Sequence, residues 1–225
     1  MSIEANIRTV LANLNCKTLI FNFHYLPFRE AIKLPFFLSR NTKLKSLKGS
    51  LKISDPNIRP GMIRIGTEEV GFYDKRHYRA VWENAGEVEF QGVARIKFGA
   101  SITVSQGARL RLGDGFRLSS GSRIVCYKSI IIGRNCRVSW DVQLIDTDFH
   151  RIFDENKKHI NPDKEIRIGN DCWIGNNSFI QKGSVLGNML VVASNSMVNS
   201  HIPEDNVILA GSPARIKRTG ITWSR

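Results

Sequence analysis

The chain has 225 residues, 42% apolar and 24% charged, the balance of a globular protein able to bury a core as one or two domains, and neither a disordered nor a membrane-spanning composition. Its 33 Lys and Arg against 20 Asp and Glu give a formal charge of +13, a field that attracts any polyanion or anionic surface; without a zinc-finger or RNP-like motif or a sustained basic helix, nucleic acid is not expected as a partner. No apolar run is long enough to span a bilayer, no signal-peptide pattern opens the chain, and Cys16, Cys126, Cys136 and Cys172 form no CxxC pair, so a reduced, cytoplasmic protein is expected.

In chain order, Ser2 to Asn15 predicts a short helix, with Ile3, Ile7, Val10, Leu11 and Leu14 on one stripe. An aromatic stretch follows, TLIFNFHYLPFREAIKLPFFLSR, broken by Pro27 and Pro35 and continuing into a basic run to Arg64. Apolar anchors beside lysines suit peripheral contact with an anionic membrane, which would place the protein at its inner face. The alternative is that the aromatics pack on the end of the next domain and the lysines are solvated. The sequence divides into 1–50, a helical and basic segment; 51–205, a repetitive β domain; and 206–225, a strand and basic tail.

Within the β domain the strongest signal is a period of six. Residues 168–203 read IGNDCW, IGNNSF, IQKGSV, LGNMLV, VASNSM, VNSHIP, each opening on Ile, Leu or Val. A helix repeats its apolar positions at three and four and a strand at two; six fits a coil of short strands joined by corners, a parallel β-helix. Gly169, Gly175 and Gly187 follow the aliphatic, where a corner is expected to need positive φ. Earlier, corners at Phe98, Val104, Leu112, Leu118, Ile124, Ile132, Val138 and Leu144 are separated by six or eight residues, which predicts coils of 20 with a recurrent two-residue bulge. The 24 residues from Leu144 to Ile168 read as one coil of 18 plus about six with no place in it, so a loop is extruded near 150–165.

That loop begins at His150, in Ile145-Asp-Thr-Asp-Phe-His150. Asp148 occupies a slot otherwise filled by small or apolar residues, and in an extended strand Asp146, Asp148 and His150 would share a face, letting a carboxylate orient the imidazole as a base. Stacking 144–149 beneath 168–173 places Phe149 under Trp173, whose indole N–H is then a candidate oxyanion donor.

The motif TDFHRI, a polar loop, IGNDCWIGNNSFIQKGSVLG and then VILAGSPARIKRTGITW resembles the left-handed parallel β-helix hexapeptide acyltransferases, and among them bacterial capsular and exopolysaccharide O-acetyltransferases, over about residues 95–225. The resemblance implies a homotrimer with acetyl-CoA in the groove between neighbouring β-helices, and a carbohydrate acceptor, either a polysaccharide or its precursor. It puts the catalytic histidine at His150 and the WIG tryptophan at Trp173. Pantetheine would lie near Ser178, Ala193, Ser194 and the segment Ala210, Gly211, Ser212, Pro213 and Ala214, with Arg215, Lys217 and Arg218 toward the CoA phosphates. Ala193-Ser-Asn-Ser196 departs from the usual Gly-Ala-Gly-Ser. No metal is expected; a zinc enzyme of the same fold would need His150, His159 and His201 to converge. The other readings are N- or O-acetylation of a nucleotide sugar or small acceptor, and a non-catalytic β-helix docked to an anionic membrane.

Overall fold

The computed structural model describes residue 8 and residues 10–68, 71, 73–74 and 77–224. Most of the helix expected over 2–15 lies outside the described residues; 10–13 are helical.

Short strands wind into a left-handed parallel β-helix with three sides, sheets of nine, seven and seven strands. Among the described residues every strand pairing between successive coils is parallel, and the last strand pair, Ile208–Gly211 with Ala214–Arg218, is antiparallel. The first strand, Phe36–Leu38, pairs with Ile63–Ile65, so coiling starts inside the aromatic stretch. The six-residue pattern holds through the late coils. Ile168, Ile174, Ile180, Leu186, Val192 and Val198 are all buried, as are Cys172, Ser178, Ser184, Leu190, Ser196 and Ile202 in the fifth slots. Apolar side chains from successive coils therefore form one column that no single coil could bury alone.

The regular coils run at 20 to 22 residues before the excursion and at 18 just after it. Ile96 pairs with Leu118 and Ile102 with Ile124, 22 residues on, so the expected corners Phe98 and Val104 are each two residues out of register. Leu112 with Ile132, Leu118 with Val138 and Ile124 with Leu144 are 20 apart, and Ile168 with Leu186 is 18. The wider first coils are filled by large rings: Trp82, Phe21, Phe36 and Phe90 are fully buried.

Two expectations fail for physical reasons. Gly169, Gly175 and Gly187 are not at positive φ; in the late coils left-handed corners fall on Asn135, Asp141, Asp171, Asn177, Met189, Asn195 and Asn206 instead, mostly the Asn and Asp that tolerate that conformation. Glycine is needed at 169 because a Cβ there would sit 2.4 Å from the Gly187 carbonyl oxygen of the next coil. The interruption is also larger than expected. Ile168 pairs with Ile132 and Leu144 with Ile180, so 144–168 is one ordinary side plus 18 extruded residues, not one coil plus six. Because 18 is also the length of a late coil, counting alone could not separate the two.

Candidate active site

The excursion leaves the corner between the second and third sheets after the strand Gln143–Ile145 and returns at Ile166–Ile168. Its first residues turn in opposite directions. Asp146 is fully buried, and its carboxylate accepts from the backbone N–H groups of Tyr127, Lys128 and Ser129 at 2.6, 2.9 and 2.8 Å. Burial pushes its pKa up, and those three donors work against the shift. Asp146 thus closes the corner of the preceding coil and does not face His150. The shared face expected for Asp146, Asp148 and His150 is lost: the strand ends at Ile145, Asp146 turns inward while Asp148 is exposed, and Phe149 at φ 61° turns the chain again before His150.

Asp148 is exposed and forms a hub. It pairs with Lys182 Nζ and accepts from Asn161 Nδ2 at 2.8 Å, and these two partners, Lys182 foremost, hold its carboxyl below the usual range. The same Asn161 Nδ2 donates to the His150 carbonyl at 2.9 Å, and Asn161 Oδ1 accepts from Ile152 N–H at 2.6 Å. Lys182 Nζ also reaches the Asn161 carbonyl at 2.8 Å. Asp148, Asn161 and Lys182 therefore clamp the two arms of the excursion at its root. The His150 N–H closes on the Asp148 carbonyl at 2.7 Å across Phe149, a tight turn with a bulky residue at positive φ, and such strained backbone collects at functional sites. The His150 imidazole is exposed and has no hydrogen bond to any described residue. The carboxylates fix its backbone, not its ring.

Trp173 is elsewhere. Its strand pairs with Arg137–Val138 on the first sheet, so it stacks over Arg137 and not over Phe149, and within one chain the third sheet lies between it and His150. Its Nε1–H donates to Ser139 Oγ at 3.0 Å, so what it presents is its ring. That ring lies 6.0 Å from the ring of Trp223 at 44°. Trp223 is anchored by its own N–H to the Asp171 carbonyl at 2.7 Å and lines a hollow of about 410 Å³ with Asn135, Asp171, Met189 and Ser224. Sequence reasoning missed Trp223, Asn161 and Lys182. The ITW near the chain's end was the only signal for Trp223, and nothing periodic marked the other two.

The residues expected to hold CoA divide by environment. Ser178 is buried, and its hydroxyl donates to the Ala193 carbonyl at 3.0 Å, so its side chain is part of the stack. Ala193 is half-buried and Ser194 exposed, with Ser194 Oγ on Asn176. Ala210 and Gly211 end one strand of the hairpin, exposed Ser212 and Pro213 make its turn, and buried Ala214 opens the return strand, followed by exposed Arg215, Lys217 and Arg218. Arg215 borders a groove of about 500 Å³ with His201, Glu204 and Ile216. His150, His159 and His201 are not gathered into one group among the described residues.

No family model matches the chain. An "Uncharacterized 24.8 kDa protein in cps region" of Klebsiella pneumoniae is 30% identical over 201 residues, 89% of this chain and 86% of that protein. The "Putative lipopolysaccharide biosynthesis O-acetyl transferase WbbJ" of Escherichia coli K12 is 30% identical over 138 residues, 54% of this chain and 70% of that one. A polysialic acid O-acetyltransferase of Escherichia coli O1:K1 is 34% identical over 131 residues, 57% of this chain, though the match spans only 42% of that protein. Among solved structures, the polySia-specific acetyltransferase NeuO superposes with a TM-score of 0.63 at 25% identity, covering 85% of this chain and 89% of that one. On its coil, its sequence and these relatives, the chain belongs to the hexapeptide-repeat acyltransferases of the left-handed parallel β-helix fold.

Proposed function

We propose that the protein transfers acetyl from acetyl-CoA to a sugar hydroxyl of a bacterial polysaccharide or its precursor, with His150 as general base. The observation that carries this reading is an exposed imidazole, unspent on any described neighbour, on a turn fixed by the Asp148–Asn161–Lys182 clamp. The relatives named for O-acetylation of polysialic acid and for lipopolysaccharide biosynthesis support a glycan acceptor.

His150 takes the proton of the acceptor hydroxyl as its oxygen attacks the thioester carbonyl. The resulting imidazolium returns that proton to the departing CoA sulfur as the tetrahedral intermediate collapses. The chain offers fitting surfaces for the donor: the hairpin turn with its Arg215, Lys217 and Arg218 cations supplies phosphate-binding charge, and the groove beside Arg215 is open. Since Trp173 and His150 lie on different sides of one prism, a homotrimer in which a neighbour contributes Trp173 and Trp223 would complete the site. Two indole rings beside the Asn135 amide and the Asp171 carboxylate suit the apolar face and hydroxyls of a sugar.

The test is CoA-thiol release against a panel of bacterial polysaccharides and sugar nucleotides, wild type beside His150→Ala. Release that requires a glycan and falls by about 10²- to 10⁴-fold in the variant, with CoA binding retained by calorimetry, is expected. Retained turnover would remove His150 as the base. Release with sugar nucleotides alone would replace the polymer by a small acceptor.

A further inference from the structure

The N-terminal end of the column is closed by the helix Cys16–Tyr25, capped by Asn15, whose side chain accepts from the N–H groups of Lys17 and Thr18. Its inner face is built for that position. Phe21 packs against Phe36 and Trp82 with ring centroids 4.9 and 5.2 Å away, and buried Asn22 bonds both ways to Phe36, its Nδ2 to the carbonyl at 2.8 Å and its Oδ1 from the N–H at 3.1 Å. The element that ends a solenoid normally turns a polar face to water. Here the outer face is apolar: Leu19, Ile20 and Phe23 are 39, 54 and 47% exposed. Phe28 and Ile32, from the short helix Phe28–Ala31 and the residue after it, extend the same patch at 71 and 54%, with the Phe28 ring 6.0 Å from that of Phe23.

Cations rim the patch. Arg29, Lys33 and Lys48 are exposed, and His24, on the helix itself, holds the carbonyl of Leu47, the neighbour of Lys48, at 2.7 Å. Glu30 is the one acidic residue between Cys16 and Lys48. An apolar patch of large side chains marks a docking surface, and its charge selects the occupant. A second copy would bring like-charged rims together; an anionic lipid surface accepts the side chains between its headgroups and neutralises the rim. We propose that this end of the solenoid docks on an anionic membrane surface, with Ile20, Phe23 and Phe28 inserted and Arg29, Lys33 and Lys48 at the headgroups. This stands independently of the acetyl-transfer reading.

Flotation of the purified full chain with vesicles tests it, comparing phosphatidylglycerol–phosphatidylcholine mixtures with pure phosphatidylcholine at low and high salt. Wild type should float with the anionic vesicles and lose most of that binding in high salt. Phe23→Glu/Phe28→Glu should abolish binding, while Arg29→Glu/Lys33→Glu should weaken it by about tenfold or more. All four side chains are solvent-facing, so unchanged circular-dichroism melting will show that both variants fold. Failure of wild type to float, or equal flotation of Phe23→Glu/Phe28→Glu, overturns the proposal. So does an assembly that Phe23→Glu/Phe28→Glu makes smaller in sedimentation while vesicles leave it unbound, which would make the face a contact between copies of the chain.

Discussion

Two successive passes through the same corner of the prism behave differently. In one coil the strand Arg123–Cys126 turns into Ser129–Ile132 across only Tyr127 and Lys128. In the next, Gln143–Ile145 departs from the corresponding point and the chain regains the third sheet only at Ile166. The closed corner anchors the open one. Asp146 spans from the start of the excursion to the N–H groups of 127, 128 and 129, and Ser129 Oγ donates to Glu165 at 2.6 Å where the excursion returns. A solenoid can therefore carry an irregular loop without disturbing its column, because the loop's ends are pinned to the coil beneath. The site gains mobility-tolerant polar chemistry on a rigid frame.

The strongest way to break this comparison is to make the corners alike. Replacing 147–164 by a two-residue corner copied from Tyr127–Lys128 should leave the fold intact, because the paired strands on either side are untouched and closing a shorter loop costs less chain entropy. The melting midpoint is expected to move by less than about 4 °C, the equivalent of roughly 1 kcal/mol for a chain this size. Acetyl transfer should fall by at least the ~10²- to 10⁴-fold assigned to the base. Collapse of the fold would show that the loop is part of the scaffold; retained transfer would take the chemistry out of it.

A smaller cut separates the two carboxylates. Asp146→Ala strips three backbone donors of their acceptor and should cost about 1–3 kcal/mol in denaturant unfolding. Asp148→Ala removes an ion pair whose carboxylate is open to solvent and should cost about 1 kcal/mol, near the top of the range for surface pairs because Lys182 is largely covered, while slackening the clamp around His150 and lowering turnover. Equal stability losses would mean that the corner does not depend on the Asp146 nest.

Much of this is legible in the sequence, and the residues show why. The column is, because each stacked position must be aliphatic or small: Ile168, Ile174 and Ile180 recur at six whatever surrounds them. His150 stands out because the pattern stops beside it. What spacing does not carry is register across the gap. An insertion as long as a coil leaves the period unchanged, so the period alone sets Trp173 over Phe149, where the fold sets it over Arg137. Nor can alternation reveal that Asp146 and Asp148 part company, since the strand has already ended at Ile145 and no pairing carries its alternation onward. Asn161 and Lys182 act through distances of 13 and 34 residues from Asp148, with no spacing rule to announce them.

The finest distinction is in acid. Lys182 and Asn161 keep the Asp148 carboxyl ionised below its ordinary range, so a proton binds the unfolded chain more tightly than the folded one. The ionised clamp therefore stabilises the protein fully above the unfolded carboxylate value of about 4, and this contribution disappears as pH falls through the lower folded value. With 43% of the Asp148 side chain exposed, solvent screening keeps the effect small. Chemical-denaturation midpoints between pH 7 and 3 should fall more steeply for wild type than for Asp148→Asn, whose amide cannot titrate, and Lys182→Met should resemble the variant. Parallel slopes in all three would show that neither Lys182 nor Asn161 shifts the Asp148 carboxyl, and that the clamp at the open corner contributes contact but no titrating charge.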